Sequence, residues 1–162
     1  MRKTVALAAI AAACVFGSLA LAADLPKEGT YDFVSCYSGT SNPMPFSKTH
    51  SAEISEITGT SQSNPPGGLF DKVAFRCISF GYSADGKNTS TTACEGVDKD
   101  GDKYMSYLVN DGTTQSRKVV AGTGKYDGIT ASGTTQTQGP FGTLKPGTIQ
   151  NCTRQRGTYT LK

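Results

Sequence analysis

The chain has no tryptophan and a single histidine, His50. A histidine-based triad needs a nucleophile and an orienting group aimed at the imidazole. Ser47, Ser51 and Glu53 are near His50 only along the chain, so His50 reads as a surface or barrel-rim residue. Charge is sparse, at 18% Asp, Glu, Lys and Arg, and Lys/Arg runs stop at pairs. Nucleic-acid binding relies on clustered cations that neutralise phosphates, so nucleic acid is not an expected partner. The pairs Arg117-Lys118 and Arg154/Arg156 read as solvated surface charge, as do the carboxylates Glu53, Glu56 and Glu95.

Closely spaced metal ligands are missing as well. Zinc sites favour C-x-x-C pairs, and Cys77 and Cys94 are seventeen residues apart. The run Asp98-Lys99-Asp100-Gly101-Asp102 misses the calcium-loop pattern: Gly96 stands where the first ligand belongs and Tyr107 where the closing glutamate belongs. It reads as a turn whose aspartates bond local backbone. Nor is a nucleotide cofactor expected. Gly124-Lys125 has Val119 in place of the leading P-loop glycine and Tyr126 in place of Ser/Thr. Asp127 replaces the last glycine of a G-x-G-x-x-G motif, and no helical pattern follows. The expectation is no metal and no cofactor.

The one long apolar run spans 4–21, after Arg2 and Lys3 and before Ala20-Leu21-Ala22. That order is a secretory signal peptide, residues 1–22, cut after Ala22 or Ala23. A run of this length is near the lower limit for crossing a bilayer, so no membrane span is expected in the mature chain, 23–162. Cys14 falls in the discarded segment. Losing Arg2 and Lys3 leaves 14 basic against 13 acidic residues, and the formal charge falls from +3 to +1. The apparent basicity is largely an export signal. Four cysteines remain, Cys36, Cys77, Cys94 and Cys152. An even number in an exported protein reads as two disulfides, with a periplasmic or secreted address.

What is abundant is glycine, serine and threonine, with Tyr, Phe, Val and Ile recurring in short runs. Period-two alternation puts Tyr31, Phe33, Ser35 and Tyr37 on one face of a strand over 29–38, with Val34 and Cys36 on the other. Asn42-Pro43-Met44-Pro45 is expected to break it. A strand over 49–60 follows, then a Pro/Gly loop over 63–68 that composition marks as the most flexible stretch. The best core strand covers 70–82, with Val73, Phe75 and Cys77 on one face. If Asp85-Gly86 are the two residues of a hairpin loop, Cys77 lies directly across from Cys94, where a bridge can form. Elimination then pairs Cys36 with Cys152. Further strands are read over 104–109, 116–121 and 157–161. About eight strands and no long helix make an all-β, eight-stranded up-and-down antiparallel barrel, with a β-sandwich as the alternative. It is one domain with a modest core.

The densest punctuation is at 120–134. It holds Gly122, Gly124, Gly128 and Gly133, with Tyr126 and Ile129 among them. Glycine serves where the backbone needs positive φ or a close approach, so this is a tight turn feeding a strand at a barrel corner. Gly122, Gly124, Tyr126, Gly128 and Ile129 define that corner. The segment resembles the G-T-G-x-[FY]-x-G-[IVA] corner of the allene oxide cyclase and dirigent barrel group and of small exported bacterial barrels. Gly29-Thr30-Tyr31, Cys94 with the aspartate hairpin, and Gly157-Thr158-Tyr159 extend the likeness. The resemblance implies an eight-stranded barrel, and it carries over no catalytic residue. The expected function is an exported barrel that binds a small apolar ligand or a partner surface without catalysis. The alternatives are a structural homo-oligomer, motivated by strands apolar on both faces, and a cyclase- or isomerase-like enzyme.

Overall fold

The computed structural model describes residues 25–139 and 141–162. The expected export signal at 1–22, with Cys14, lies outside them. Eight strands follow in order: β1 Glu28–Pro45, β2 His50–Ser63, β3 Val73–Ala84, β4 Lys87–Val97, β5 Lys103–Asn110, β6 Gln115–Gly122, β7 Thr130–Thr137 and β8 Thr148–Thr160. Each pairs antiparallel with its neighbours in sequence, and β8 pairs with β1, so the sheet closes as an up-and-down barrel. Closure leaves no sheet edge along the paired strands. The sandwich alternative is thereby excluded.

Alternation assigns the two faces. Tyr31, Phe33 and Ser35 of β1 are buried inside, whereas Cys36 points outward. The closing seam sets Cys36 opposite Cys152. Their disulfide spans it on the outer face, with a Cα–Cα distance of 4.1 Å. Beside it Asp32 accepts hydrogen bonds from Arg154 Nε at 2.8 Å, Arg154 Nη2 at 2.6 Å and Arg156 Nε at 3.0 Å. The Arg154 guanidinium, despite partial desolvation, holds the Asp32 carboxyl below its ordinary value. The second disulfide, Cys77–Cys94, joins β3 to β4 across directly opposed positions. It faces the lumen, where Cys77 is buried. The register follows from the tight turn at Asp85-Gly86, where φ is +50° and +82°, the signs that a two-residue hairpin of matching twist requires.

Two expectations are corrected. Asn42-Pro43-Met44-Pro45 does not break the first strand, since β1 runs through Pro45. Asp32 O accepts from Asn64 N on the β2 side, and Ser41 N donates to Gly147 O on the β8 side. Alternation therefore points the nitrogens of Pro43 and Pro45 to the β8 side, beyond Thr40↔Thr148 where that ladder ends. A proline at such an edge forfeits no ladder bond. The second correction is that β3 starts at Val73, not Phe70. Phe70 has φ +68° and belongs to the preceding loop.

The glycine-rich stretch connects β6 to β7 through a 3-10 turn, Gly124–Tyr126. A Cβ on Gly122 would lie 2.0 Å from the Tyr126 carbonyl oxygen, so only glycine lets the turn fold back this closely. Gly124 has φ +54°, and its Cβ would meet Asp102 Oδ1. The fold-back buries Tyr126 and Ile129 at one end of the barrel.

A bridge that closes a longer loop restricts the unfolded chain more. Cys36–Cys152 closes a separation of 116 residues and Cys77–Cys94 one of 17. Urea unfolding of the Cys36→Ala/Cys152→Ala variant is expected to show about 1.5–2 kcal/mol more destabilisation than Cys77→Ala/Cys94→Ala. An equal or reversed ranking contradicts the role given to the seam.

Candidate functional site

The barrel is plugged at one end and hollow towards the other. The plug is built on the loop over 64–72, packed against the corner residues Tyr126 and Ile129. Composition marks 63–68 as the most flexible stretch, and it is instead tied down. Ser61 Oγ donates to Phe70 O at 2.7 Å, and the Asp71 carboxylate accepts from the backbone nitrogens of Ser63 and Gly67, both at 2.9 Å. Burial pushes the Asp71 carboxyl up, but those amides more than offset it and the group lies below its ordinary value. The anchoring drives Leu69 and Phe70 into the barrel, where both are buried. Phe70 becomes the centre of an aromatic floor. Its ring centroid lies 4.9 Å from Tyr104, 5.2 Å from Phe33, 5.3 Å from Tyr31 and 6.0 Å from Tyr126. The first three are tilted or edge contacts and Tyr126 is stacked, with 9° between the planes. Edge-to-face and offset-stacked pairs at these separations are the favoured aromatic geometries.

On this floor rests Arg117. The expectation of a solvated surface pair fails for it, because Arg117 is 3% exposed. The reason is alternation in β6: Arg117 and Val119 point inward, and Ser116, Lys118 and Val120 point out. The guanidinium carbon is 4.4 Å from the Phe70 centroid, 5.3 Å from Phe33 and from Tyr104, and 5.7 Å from Tyr31. Each cation–π contact contributes about 0.5–2 kcal/mol. Taking a charge out of water costs several kcal/mol. No ion pair among the described residues includes Arg117, and its buried Nη1 has no hydrogen-bond partner. Arg154 and Arg156, by contrast, lie on the outer face as expected, paired with Asp32.

Above the floor lies a cavity of about 240 Å³. Its polar wall is made of short side chains, Ser35, Ser55, Ser106, Thr135 and Thr153, with Gln155. Ile57, Phe75, Leu108 and the Cys77–Cys94 disulfide supply apolar wall. Two more buried polar atoms on this wall lack partners, Thr135 Oγ1 and Gln155 Oε1. Thr135 and Gln155 are directly opposed on β7 and β8. Glu53 lines the mouth, exposed, and accepts from Ser41 Oγ at 2.6 Å. Burial raises the hydroxyl of Tyr104, opposed by the nearby Arg117 charge, and burial likewise raises Tyr37. Arginine stays protonated throughout the ordinary pH range.

The remaining singled-out residues sit elsewhere. His50 opens β2 at the rim, with Nδ1 2.9 Å from Thr49 Oγ1 and Nε2 4.0 Å from Asp85 Oδ2. Glu56 accepts from Arg76 Nε at 2.8 Å on the outer surface, and Glu95 is exposed. The aspartate turn lies at the plugged end. There Asp98 Oδ1 accepts from Asp100 N at 2.9 Å and Asp102 N at 3.1 Å, and Lys125 Nζ reaches Asp98 Oδ2 at 2.5 Å. Burial raises the Asp98 carboxyl, but Lys125 and the two amides lower it further, below its usual range. Among the described residues no group of three or more His, Cys, Asp or Glu could hold a metal ion. The corner residues Tyr126 and Ile129 belong to the plug and do not line the cavity. Sequence reasoning therefore missed Arg117, Thr135 and Gln155. The available signal was the placement of Arg117 two residues from Val119 in one strand.

No family model matches the chain, and no curated protein or solved structure is significantly similar to it.

Phe70 touches every ring of the floor, so Phe70→Ala is expected to cost about 3–5 kcal/mol in urea unfolding. A loss under about 1 kcal/mol would show that the floor does not depend on it.

Proposed function

We propose that this chain is an exported binding barrel, a non-catalytic carrier or receptor that holds one small molecule in its lumen. The observation that carries this reading is the cavity above the aromatic floor. Eight strands leave an interior just wide enough to be filled by side chains or to hold one small ligand. Here one half is filled, and the other is lined by Ser35, Ser55, Ser106 and Thr153, all buried and all too short to fill it. Larger residues at those positions would close the space. The apolar ligand expected from composition is narrowed to an amphipathic one, since hydroxyls share the wall with Ile57, Phe75 and Leu108. The apolar run over 4–21 and the two disulfides support a periplasmic or secreted address. No described helix is long and apolar enough to cross a membrane.

Likeness to the allene oxide cyclase and dirigent group would make the same lumen a cyclase or isomerase site. The ionisable side chains on the cavity wall favour binding instead. They are Tyr37, Tyr104, Arg117 and Glu53. Burial raises both tyrosines, and Glu53 sits at the exposed mouth. The wall offers no buried carboxylate or imidazole for proton transfer.

One observation favours a second reading, a homo-oligomer. The outer face of β2, β3 and β5 carries Ile54, Ile78, Phe80, Met105 and Tyr107, between 43% and 60% exposed. Ile54 opposes Phe80, and Ala93 links Ile78 to Tyr107. Contiguous exposed apolar surface marks contact sites. A strictly monomeric sedimentation profile at all concentrations removes this reading.

For the lumen, native mass spectrometry after incubation with a mixture of lipids and terpenoids is expected to show one retained molecule per chain. Ser106→Phe, which fills the cavity, is expected to abolish it. No retained species, or one indifferent to Ser106→Phe, contradicts binding in the lumen.

A further inference from the structure

We infer that the lumen selects small organic acids carrying a single carboxylate, and that Arg117 binds that carboxylate at the floor. The inference rests on the lumen-binding reading and narrows its ligand class.

The first ground is an unbalanced charge. Arg117 is 97% removed from solvent, no carboxylate pairs with it among the described residues, and it lines the cavity. Four aromatic rings surround the guanidinium carbon at 4.4–5.7 Å and offer no opposite charge. A guanidinium donates its hydrogen bonds in its own plane; the Tyr104 hydroxyl lies close enough to take one, but the buried Nη1 donates none. A buried charge left in this way is strongly unfavourable unless something compensates it. A carboxylate supplies both the opposite charge and oxygens that match the planar fork.

The second ground is placement. Arg117 is opposed by Gly133 on β7, and Gly133 by Gly157 on β8; the room these glycines leave is taken by Tyr31, whose buried hydroxyl also lacks a partner. Two residues along the same inner wall stand Thr135 and its cross-strand partner Gln155, each with an unpartnered buried oxygen. A hydroxyl donates as readily as it accepts, and a carboxamide turned end for end presents its NH₂ instead of its oxygen. Arg117, Thr135 and Gln155 can thus all donate to one anionic group.

Size and the mouth set the remaining limits. At about 30 Å³ per water, a 240 Å³ cavity has room for about eight, which fits a compact acid with one ring. Its body would lie against Ile57, Phe75 and Leu108. Glu53 at the mouth repels a second carboxylate there, so a monoacid is favoured over a diacid.

The test uses the intact mature chain and three probes of nearly one shape: benzoate, benzamide and benzyl alcohol. Binding is followed by amide chemical-shift titration at constant ionic strength. Benzoate is expected to bind at least about tenfold more tightly than either neutral probe, shifting the amides of Arg117, Thr135 and Gln155. Arg117→Gln is expected to erase that preference, and Arg117→Lys to keep part of it. Equal affinity for all three probes overturns the carboxylate assignment and leaves lumen binding standing. Failure of all three to shift lumen amides overturns both. The comparison of probes on the parent chain decides the matter even where a variant does not fold.

Discussion

The contact between Arg117 and Phe70 joins the two halves of this molecule. A guanidinium 4.4 Å from a ring centroid is common on protein surfaces; here it is sealed inside a closed sheet. Below it the barrel is packed with aromatic and aliphatic side chains, and above it the barrel is hollow, with hydroxyls and apolar side chains sharing the wall. The floor exists because the loop over 64–72 turns inward, held by Ser61 and Asp71. The inside exists because β8 returns to β1, held by a disulfide and by the Asp32 ion pairs. Unclosed, the sheet would leave Arg117 at a solvated face. Without the plug the lumen would be open at both ends, and the aromatic rings would have no partner at their centre.

The barrel was largely legible in the residues, because its determinants are local. Alternation from Tyr31 to Tyr37 assigned both faces of β1. The Asp85-Gly86 turn fixed a register that set Cys77 against Cys94, and two cysteines then remained for the seam. Closure and strand number followed from turn spacing. What failed to read were features decided by tertiary surroundings. Pro43 and Pro45 look like breakers until it is known that their nitrogens face a side where the ladder has already ended. The Pro/Gly loop looks mobile until Leu69 and Phe70 are seen inside the barrel.

The candidate site was hardly legible at all. Arg117 stands beside Lys118, and a basic pair normally means solvent. Only the phase of a short strand, read from the buried Val119, tells the two apart. Thr135 and Gln155 carry no signal of their own among so many threonines and glutamines. They matter because β7 and β8 bring them together next to an unpaired cation. The glycine-rich corner, the most conspicuous stretch of sequence, belongs to the plug. Its glycines let Tyr126 fold under Phe70, which supports the site without entering it.

A buried charge retained at a cost to stability points to a use other than stability. Replacing Arg117 with methionine keeps an unbranched apolar side chain over the floor and removes the charge. Urea unfolding of the Arg117→Met variant measures what the guanidinium contributes to the fold. If the charge is held for a ligand, the ligand-free variant unfolds at or above the urea midpoint of the parent chain, because the desolvation cost disappears. A loss of more than about 3 kcal/mol would make the guanidinium a structural keystone of the floor and contradict the account.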